Sequence, residues 1–310
     1  MTSPTPIILD CDPGHDDAIA IMLALASPEV ELIGITTVAG NQTLDKTTPN
    51  ALKVLELLGR TDIPVHAGAA APLVRELHTA PDVHGESGMD GPDLPPPSAK
   101  PQDEHAVEYL AREIKARDGK VTLVPTGPLT NVALMIELHP DVRPERVVWM
   151  GGSIGEGNTT PAAEFNCYVD PEAAQRVFDA GFDTTMIGLD VTHRALITDA
   201  HRERLRSAGK VGKVAAELLD FYARFHKHRY PDLDGAPLHD PVCVAHVAKP
   251  GLVVTKDAFI QVDCGEQGRG RTNVDWRGRA TSGPQNAKVG VDIDGDAFAE
   301  LVIERLASLG

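Results

Sequence analysis

Short apolar runs alternate with helix-forming segments along the chain as far as about residue 190. The apolar runs rich in β-branched residues predict strands at residues 7–9, 31–38, 63–67, 121–125, 146–150 and 183–189. The segments between them predict helices at residues 17–26, 49–58, 130–138 and 172–180. Such alternation is typical of βαβ units. We therefore expect an α/β fold with an open, mainly parallel, doubly wound sheet flanked by helices.

The pattern changes after residue 191. Two helices are predicted at 200–207 and 211–228, followed by short strands at 252–254, 258–262 and 288–291 and a last helix at 296–307. The Pro- and Gly-rich stretch 78–101 is too short for a domain linker, and it predicts a long ordered loop or lid. No internal repeat is visible, so we expect residues 1–310 to form a single domain.

Polar or glycine-rich residues follow five of the predicted strands, at the point where each strand ends. These exits lie at residues 10–12, 40–41, 126–127, 151–152 and 190–193. In open α/β sheets, ligands bind outside the carboxyl ends of the strands. The pattern therefore predicts one ligand-binding crevice lined by all five exits.

Four aspartates lie close together at the first of these exits: Asp10, Asp12, Asp16 and Asp17. Their carboxylates repel one another by roughly 1 kcal/mol per pair at about 4 Å in water, and by more where water is scarce. Helix-dipole stabilisation could explain Asp16 and Asp17 at the start of a helix, but not Asp10 and Asp12. Because apolar runs flank the cluster, we expect burial around a hard divalent cation with oxygen ligands.

A glycine-rich loop, GGSIGEGN at residues 151–158, leads to Glu164 and Asn166. No Lys-Ser/Thr pair follows the glycines, so the loop is not a phosphate-binding P-loop. Asn158, Glu164 and Asn166 supply amides and a carboxylate, which suit sugar hydroxyl groups. The alternative is an exposed polar loop.

His239 and Asp240 lie just before Pro241, which can begin a helix. Asp240 could supply another metal oxygen, and His239 could exchange a proton near neutral pH. The alternative is a helix cap beside a surface histidine. His84 in the long loop and Tyr230 at the end of a predicted helix could add an imidazole and an aromatic ring to the site.

The composition limits the kinds of molecule that the protein is expected to bind. The net charge of −16 opposes binding to nucleic acid or to an anionic membrane, since phosphate binding needs clustered Lys and Arg. No apolar run reaches the ~18 residues of a membrane span. The four cysteines form no CxxC pair, and the N-terminal segment lacks the features of a signal peptide. A reducing cytoplasm is the expected location.

Together these motifs resemble the inosine–uridine-preferring nucleoside hydrolases, which cleave ribonucleosides. The resemblance covers nearly the whole chain in order. It is carried by DCDPGHDDA at 10–18, TTVAGN at 36–41, HGESG at 84–88, VPTGPLTN at 124–131, MGG at 150–152, EFN at 164–166 and HDP at 239–241.

The resemblance implies a calcium ion (Ca²⁺) held by Asp12, Asp17, Asp240 and the backbone carbonyl of Thr126. It also implies that Asp12 is the general base that takes a proton from the attacking water. His239 matches the position proposed to protonate the departing base.

The resemblance further implies a substrate-binding set: Asp16, Asn41, His84, Met150, Asn158, Glu164, Asn166, Tyr230 and Asp240. His84 and Tyr230 would lie near the base, and Asp10 would orient its neighbours from behind. Family members are commonly homodimers or homotetramers, so we expect a homo-oligomer whose partner molecule is a small ribonucleoside.

The predicted activity is calcium-dependent hydrolysis of the N-glycosidic bond, giving free base and ribose, with broad or pyrimidine- and inosine-leaning specificity. One alternative is a metal-dependent phosphohydrolase with Asp10 as nucleophile. Those enzymes usually carry Thr or Val where this chain has Gly14. The other alternative is a non-catalytic, calcium-dependent protein that binds nucleosides or sugars.

Overall fold

The computed structural model describes residues 3–278 and 283–310. Met1 and Thr2, which belong to the N-terminal segment without signal-peptide features, lie outside the described residues. Its strands are β1 Thr5–Cys11, β2 Val30–Thr37, β3 Val65–Ala67, β4 Thr122–Pro125, β5 Arg146–Met150, β6 Thr184–Ile187, β7 Leu196–Ile197, β8 Ala236–Pro237, β9 Val253–Asp263, β10 Arg271–Asp275 and β11 Ala287–Ile293.

The helices are α1 His15–Ala26, α2 Leu44–Leu57, α3 Pro81–His84, α4 Ala106–Ala116, α5 Thr130–Leu138, α6 Phe165–Val169, α7 Pro171–Asp179, α8 Leu189–Thr192, α9 Asp199–Arg206, α10 Gly209–Arg229, α11 Pro241–Ala248 and α12 Gly295–Ala307. Within the described residues, none of them is long and apolar enough to cross a membrane.

Nine strands form one sheet in the order β10-β9-β11-β6-β5-β4-β1-β2-β3. The strands from β11 to β3 pair in parallel, whereas β9 is antiparallel to both β10 and β11. The predicted doubly wound, mainly parallel sheet is confirmed. The chain builds outward from β1 in both directions, so the strand order reverses between β1 and β4. A crevice at the carboxyl ends of these two strands is the expected ligand site.

Helices cover both faces of the sheet, and β1 shows why its sequence is continuously apolar. Ile7 and Leu9 face a core shared with α1, α2, α10, α11 and α12. Ile8, one residue out of phase, faces a second core shared with α4, α5 and α7. A parallel strand buried on both faces has no solvent-facing positions. Its sequence is therefore apolar without interruption.

Three predicted boundaries were wrong. The second helix begins at Leu44 rather than at Pro49, because the carbonyl of Thr43 accepts the first helical bonds, from the amides of Lys46 and Thr47. The sixth strand ends at Ile187, since Gly188 already begins α8. The predicted strands at 252–254 and 258–262 are one strand, β9, whose pairing with β11 continues through the polar residues between them.

Several elements were not predicted, among them helix α4 and strand β10. Helix α4 carries buried Val107, Leu110, Ala111 and Ile114 at helical spacing, so the signal was present in the sequence. Strand β10 is a short edge strand of mostly polar residues and carries little apolar signal.

The predicted ordered loop at 78–101 is confirmed, and it contains α3. Side chains within α2 or just before it fix this loop in place through hydrogen bonds. The Gln42 amide donates to the carbonyl of Gly85, and the Asn50 amide donates to that of Ser87. Asp90 accepts hydrogen bonds from the amides of Glu86 and Ser87 within the loop. These contacts place His84 at the edge of the crevice.

Candidate active site

The strand ends converge on a cavity of about 220 Å³ at the reversal of strand order. Eleven of the predicted site residues line it: Asp16, Asn41, His84, Thr126, Met150, Asn158, Glu164, Asn166, Tyr230, His239 and Asp240. The other three, Asp10, Asp12 and Asp17, are fully buried. Residues more than 200 positions apart in the chain, such as Asp16 and Asp240, are thus brought together. Of the predicted strand exits, Asn41 and Thr126 line the cavity, whereas residues 190–193 do not.

A group of carboxylates in the cavity could hold a metal ion. Oxygens of Asp16, Asp17 and Asp240 lie within 4.8 Å of one another, and all three residues are buried. Among the described residues, no ion pair with Lys or Arg reaches any of the three. Buried carboxylates without a basic partner suit a hard cation with oxygen ligands. The sequence had predicted Asp12 rather than Asp16 beside the other two.

Asp12 adds an oxygen that lacks a partner. Its Oδ2 accepts a hydrogen bond from the backbone amide of Asn41 at 2.6 Å, whereas its Oδ1 is buried and has no partner among the described residues. The carboxylate lies against two glycines, since a Cβ on Gly40 or Gly127 would come within 2.1 or 2.6 Å of its oxygens. Those glycines allow the backbone to approach Asp12 closely.

Thr126 contributes two oxygens at the end of β4. Its hydroxyl donates to Asp17 Oδ1 at 2.8 Å, and its carbonyl accepts from the Asn166 amide at 2.8 Å. A carbonyl has two lone pairs, so one remains for a cation. The Oδ1 of Asn166 is buried and has no partner among the described residues, so it is available to a sugar hydroxyl.

Asp10 supports its neighbours from behind the cavity. Its Oδ1 accepts hydrogen bonds from the Thr36 hydroxyl at 2.7 Å and the Asn131 amide at 2.8 Å. Its backbone carbonyl accepts from the amide of Thr126. Asp10 therefore helps to fix the end of β4, and it does not line the cavity.

The glycine-rich loop brings amide and carboxylate groups to the cavity. Glu164 caps α6 by accepting from the amides of Asn166 and Cys167, and it also accepts from the amide of Gly152. One carboxylate lone-pair site therefore remains for a ligand. Asn158 Oδ1 accepts from the amide of Phe165 at 2.9 Å, which leaves the Asn158 amide group toward the cavity.

Imidazole and phenol rings form another part of the cavity lining. His239 Nδ1 lies 2.7 Å from the Thr192 hydroxyl, and His84 Nδ1 lies 3.2 Å from His15 Nδ1. The Tyr230 ring stacks on that of His226 with centroids 6.0 Å apart. This side could contact a planar, polar base by stacking and hydrogen bonding.

Sequence reasoning did not assign Tyr222 and His226 to the site, although both line the cavity. Tyr222 donates a hydrogen bond to Asp16 Oδ2 at 3.2 Å, and both ring nitrogens of His226 are buried without a partner among the described residues. The signal was available in the sequence, because Tyr222 and His226 lie four residues apart and so share one face of α10, and Tyr230 follows four residues later at the C-cap.

Burial shifts the pKa values of the aspartates and histidines in the site. Desolvation and then the charge of Asp17 raise the pKa of Asp12 well above its usual range and that of Asp16 to about 7. Desolvation likewise raises the pKa of Asp240 well above its usual range. On the base side, desolvation lowers the pKa of His226 to about 3 and the pKa of His239 well below 6.5. In the protein alone, the carboxylates therefore retain protons that a cation would displace.

The class of protein follows from comparison with known families. Residues 7–300 match the model of the inosine-uridine preferring nucleoside hydrolases. The chain belongs to this family, as its motifs predicted, and it is a ribonucleoside hydrolase.

Similar proteins support the assignment to this family. The chain is 53% identical over 306 residues to the "Pyrimidine-specific ribonucleoside hydrolase RihA" of Enterobacter sp. (strain 638), covering 97% of each chain. Among solved structures, the "Purine-Preferring Ribonucleoside Hydrolase from Gardnerella vaginalis" superposes with a TM-score of 0.93 at 35% identity, covering 98% of each chain. A plant nucleoside hydrolase, PpNRh1, superposes with a TM-score of 0.92 at 35% identity, covering 98% of this chain and 99% of its own.

Crowding of carboxylates predicts that Asp16→Asn stabilises the metal-free protein. Native Asp16 holds a proton up to about pH 7, whereas an unfolded aspartate loses it near pH 3.8. Wild-type stability therefore falls relative to the variant as pH rises from about 4 to 7, by up to about 4 kcal/mol. Urea unfolding of wild type and Asp16→Asn at each pH, with chelator present, measures this difference in stability. Both proteins contain the same histidines, so the effects of histidine titration cancel in the difference.

The exposed Asp93→Asn is the matched control, and it should change stability by less than about 0.5 kcal/mol. A difference between wild type and Asp16→Asn that does not grow with pH would contradict the electrostatic account.

Proposed function

We propose that this enzyme hydrolyses pyrimidine ribonucleosides in preference to purine ones, with a bound calcium ion and with Asp12 as general base. The observation that carries the proposal is the partnerless buried oxygen of Asp12 beside the Asp16, Asp17 and Asp240 cluster. Amides for a sugar and rings for a base line the same cavity.

Asp12, Asp17, Asp240 and the carbonyl of Thr126 would hold the calcium ion, with Asp16 close by. The fit is supported by the buried carboxylates, by the free lone pair of Thr126, and by the absence of a Lys or Arg partner within the described residues. When bound, calcium would orient water and the ribose hydroxyls and would make that water easier to deprotonate.

Asp12 would act on the attacking water. Its Oδ1 is free, and the Asn41 amide holds the carboxylate in place through Oδ2. As the water oxygen bonds to C1′ of ribose, Asp12 takes the water proton and the N-glycosidic bond breaks. The electron pair of that bond leaves with the base, whose negative charge must then be neutralised.

The side chains around the sugar would hold its hydroxyl groups. Asp16, Asn41, Asn158, Glu164 and Asn166 all line the cavity, and Met150 lies beside them at the end of β5. Cleavage places positive charge on the ribose ring. Nearby carboxylates stabilise that charge more than they stabilise the neutral nucleoside, which lowers the barrier.

His239 would neutralise the departing base by donating a proton or a hydrogen bond, with Tyr230 and His84 flanking the base. The support is its place in the cavity lining, beside the buried carboxylate of Asp240 in the chain. Pyrimidine preference is supported by the RihA relatives at 52–53% identity, which are named pyrimidine-specific, whereas the purine-preferring neighbour is 35% identical.

The cellular setting and assembly extend the proposal. All four cysteines are free, which fits a reducing cytoplasm. We propose a homo-oligomer, dimer or tetramer, on the family resemblance, and one catalytic domain over residues 1–310, supported by a family match at 7–300.

The structure opposes the phosphohydrolase alternative. Asp10, its nucleophile, does not line the cavity, and Thr36 and Asn131 hold its Oδ1. Arg229 is the only lysine or arginine among the described residues that line the cavity. A phosphate group would therefore meet an acidic site without a basic clamp.

Free ribose released from a panel of nucleosides tests the proposed function. We expect uridine and cytidine to be cleaved faster than inosine, with loss of activity in chelator and recovery on adding calcium. Asp12→Asn keeps the shape of the side chain but removes the base, so turnover should fall by about 10²–10⁴-fold or more.

Retained activity in chelator would contradict the metal role, and near-normal turnover by Asp12→Asn would contradict the role of Asp12. Release of phosphate from nucleotides without free ribose would favour the phosphohydrolase. Nucleoside binding without any cleavage would favour the binding protein.

Replacement of His239 should affect substrates according to their leaving groups. His239→Ala is expected to slow uridine cleavage by about 10²-fold or more, because the base leaves unprotonated. It should leave p-nitrophenyl riboside nearly unaffected, since that leaving group needs no proton. The surface variant His139→Ala is the control, and an equal loss on both substrates would remove the assignment.

A further inference from the structure

The four-residue helix α8 follows β6 and is anchored by hydrogen bonds to the glycine-rich loop. The Leu189 amide donates to the carbonyl of Gly152 at 3.1 Å, and a Cβ on Gly188 would lie 2.7 Å from that oxygen. The Asp190 carboxylate accepts hydrogen bonds from the amides of Ile154 and Gly155. The start of α8 is therefore fixed to the glycine-rich loop.

The segment that carries His239 is fixed to the other end of α8. The Leu238 amide donates to the carbonyl of Ala195 at 2.9 Å, and β8 pairs with β7 just before it. His239 thus has a defined backbone position relative to Thr192, the last residue of α8. The side chains of both residues are buried.

The hydroxyl of Thr192 lies 2.7 Å from His239 Nδ1. Within the described part of the chain this is the one hydrogen bond of the Thr192 side chain, so its hydrogen has no other acceptor. A buried hydroxyl that donates to an imidazole nitrogen requires that nitrogen to be unprotonated. The ring proton must then be on Nε2, the nitrogen left to the cavity that His239 lines.

We propose that Thr192 is a positioning residue that sets the tautomer of His239, so that Nε2–H faces the departing base. This inference rests on the proposed function, in which His239 neutralises that base. In the other tautomer Nε2 would present a lone pair to a group that is gaining negative charge, and no hydrogen bond could form. Thr192 itself would not contact the substrate.

Three variants separate this role from a packing role. Thr192→Val keeps the shape and removes the hydroxyl, and Thr192→Ser keeps the hydroxyl. Thr184→Val makes the same replacement at a buried threonine at the far end of β6, whose hydroxyl has no partner within the described residues. Nitrogen NMR of the full-length enzyme labelled with ¹⁵N-histidine reports which ring nitrogen carries the proton, and His239→Gln assigns the signal.

We expect wild type, Thr192→Ser and Thr184→Val to show His239 protonated at Nε2. Thr192→Val should lose that preference. Turnover of uridine by Thr192→Val should fall by about 10²-fold, as when one preorganised hydrogen-bond donor to a developing negative charge is lost. Turnover of p-nitrophenyl riboside should stay within about twofold of wild type, because its leaving group needs no proton.

An unchanged His239 tautomer in Thr192→Val would overturn the proposal, as would an equal loss on both substrates or a failure of Thr192→Ser to retain activity. Failure of the proposed function looks different. If His239→Ala slowed both substrates equally while Thr192→Val still changed the tautomer, the contact would stand and the role of His239 would fall.

Discussion

Mutual repulsion of buried carboxylates is the constraint on which the rest of this structure depends. Asp12, Asp16, Asp17 and Asp240 meet where the strand order reverses, and desolvation raises the pKa of each of them. A protein core alone gives no reason to gather such groups. In the proposed mechanism, the arrangement becomes favourable when a cation takes their charge and when a cationic sugar forms among them during cleavage.

The sheet makes this arrangement possible. Parallel strands deliver their carboxyl ends to one edge, so short stretches after β1, β2, β4 and β5 reach the same cavity. The buried flanks of β1 and α1 keep water away from the aspartates, which strengthens every charge interaction there. Hydrogen bonds from Asn41 and Thr126 then hold two of the carboxylates in orientation.

Local signals in the sequence predicted much of this. Apolar runs located the parallel strands, and the polar exits that followed them located the site, because both depend on neighbouring residues in the chain. The start of α2 was missed because Pro49 is usually found in a first turn, whereas Thr43 supplies the first carbonyl. Strand β9 was divided because its polar middle is tolerated where the strand pairs with β11.

Contacts between distant segments were harder to predict. Whether Thr192 touches His239, or Asn131 touches Asp10, depends on how separate elements pack, and no local pattern encodes it. The position of Asp10 behind the cavity was expected from the family resemblance, whereas no local pattern separates it from Asp12. Tyr222 and His226 are an intermediate case, visible as a four-residue repeat once α10 is known to face the cavity.

Calorimetric titration of calcium into the chelator-treated enzyme near pH 7 tests the central claim most directly. Repeating the titration in buffers of different ionisation enthalpy counts the protons released on binding. The account predicts one calcium ion per chain, bound with release of protons from the carboxylate cluster. Absence of saturable calcium binding, or binding that releases no protons, would contradict it.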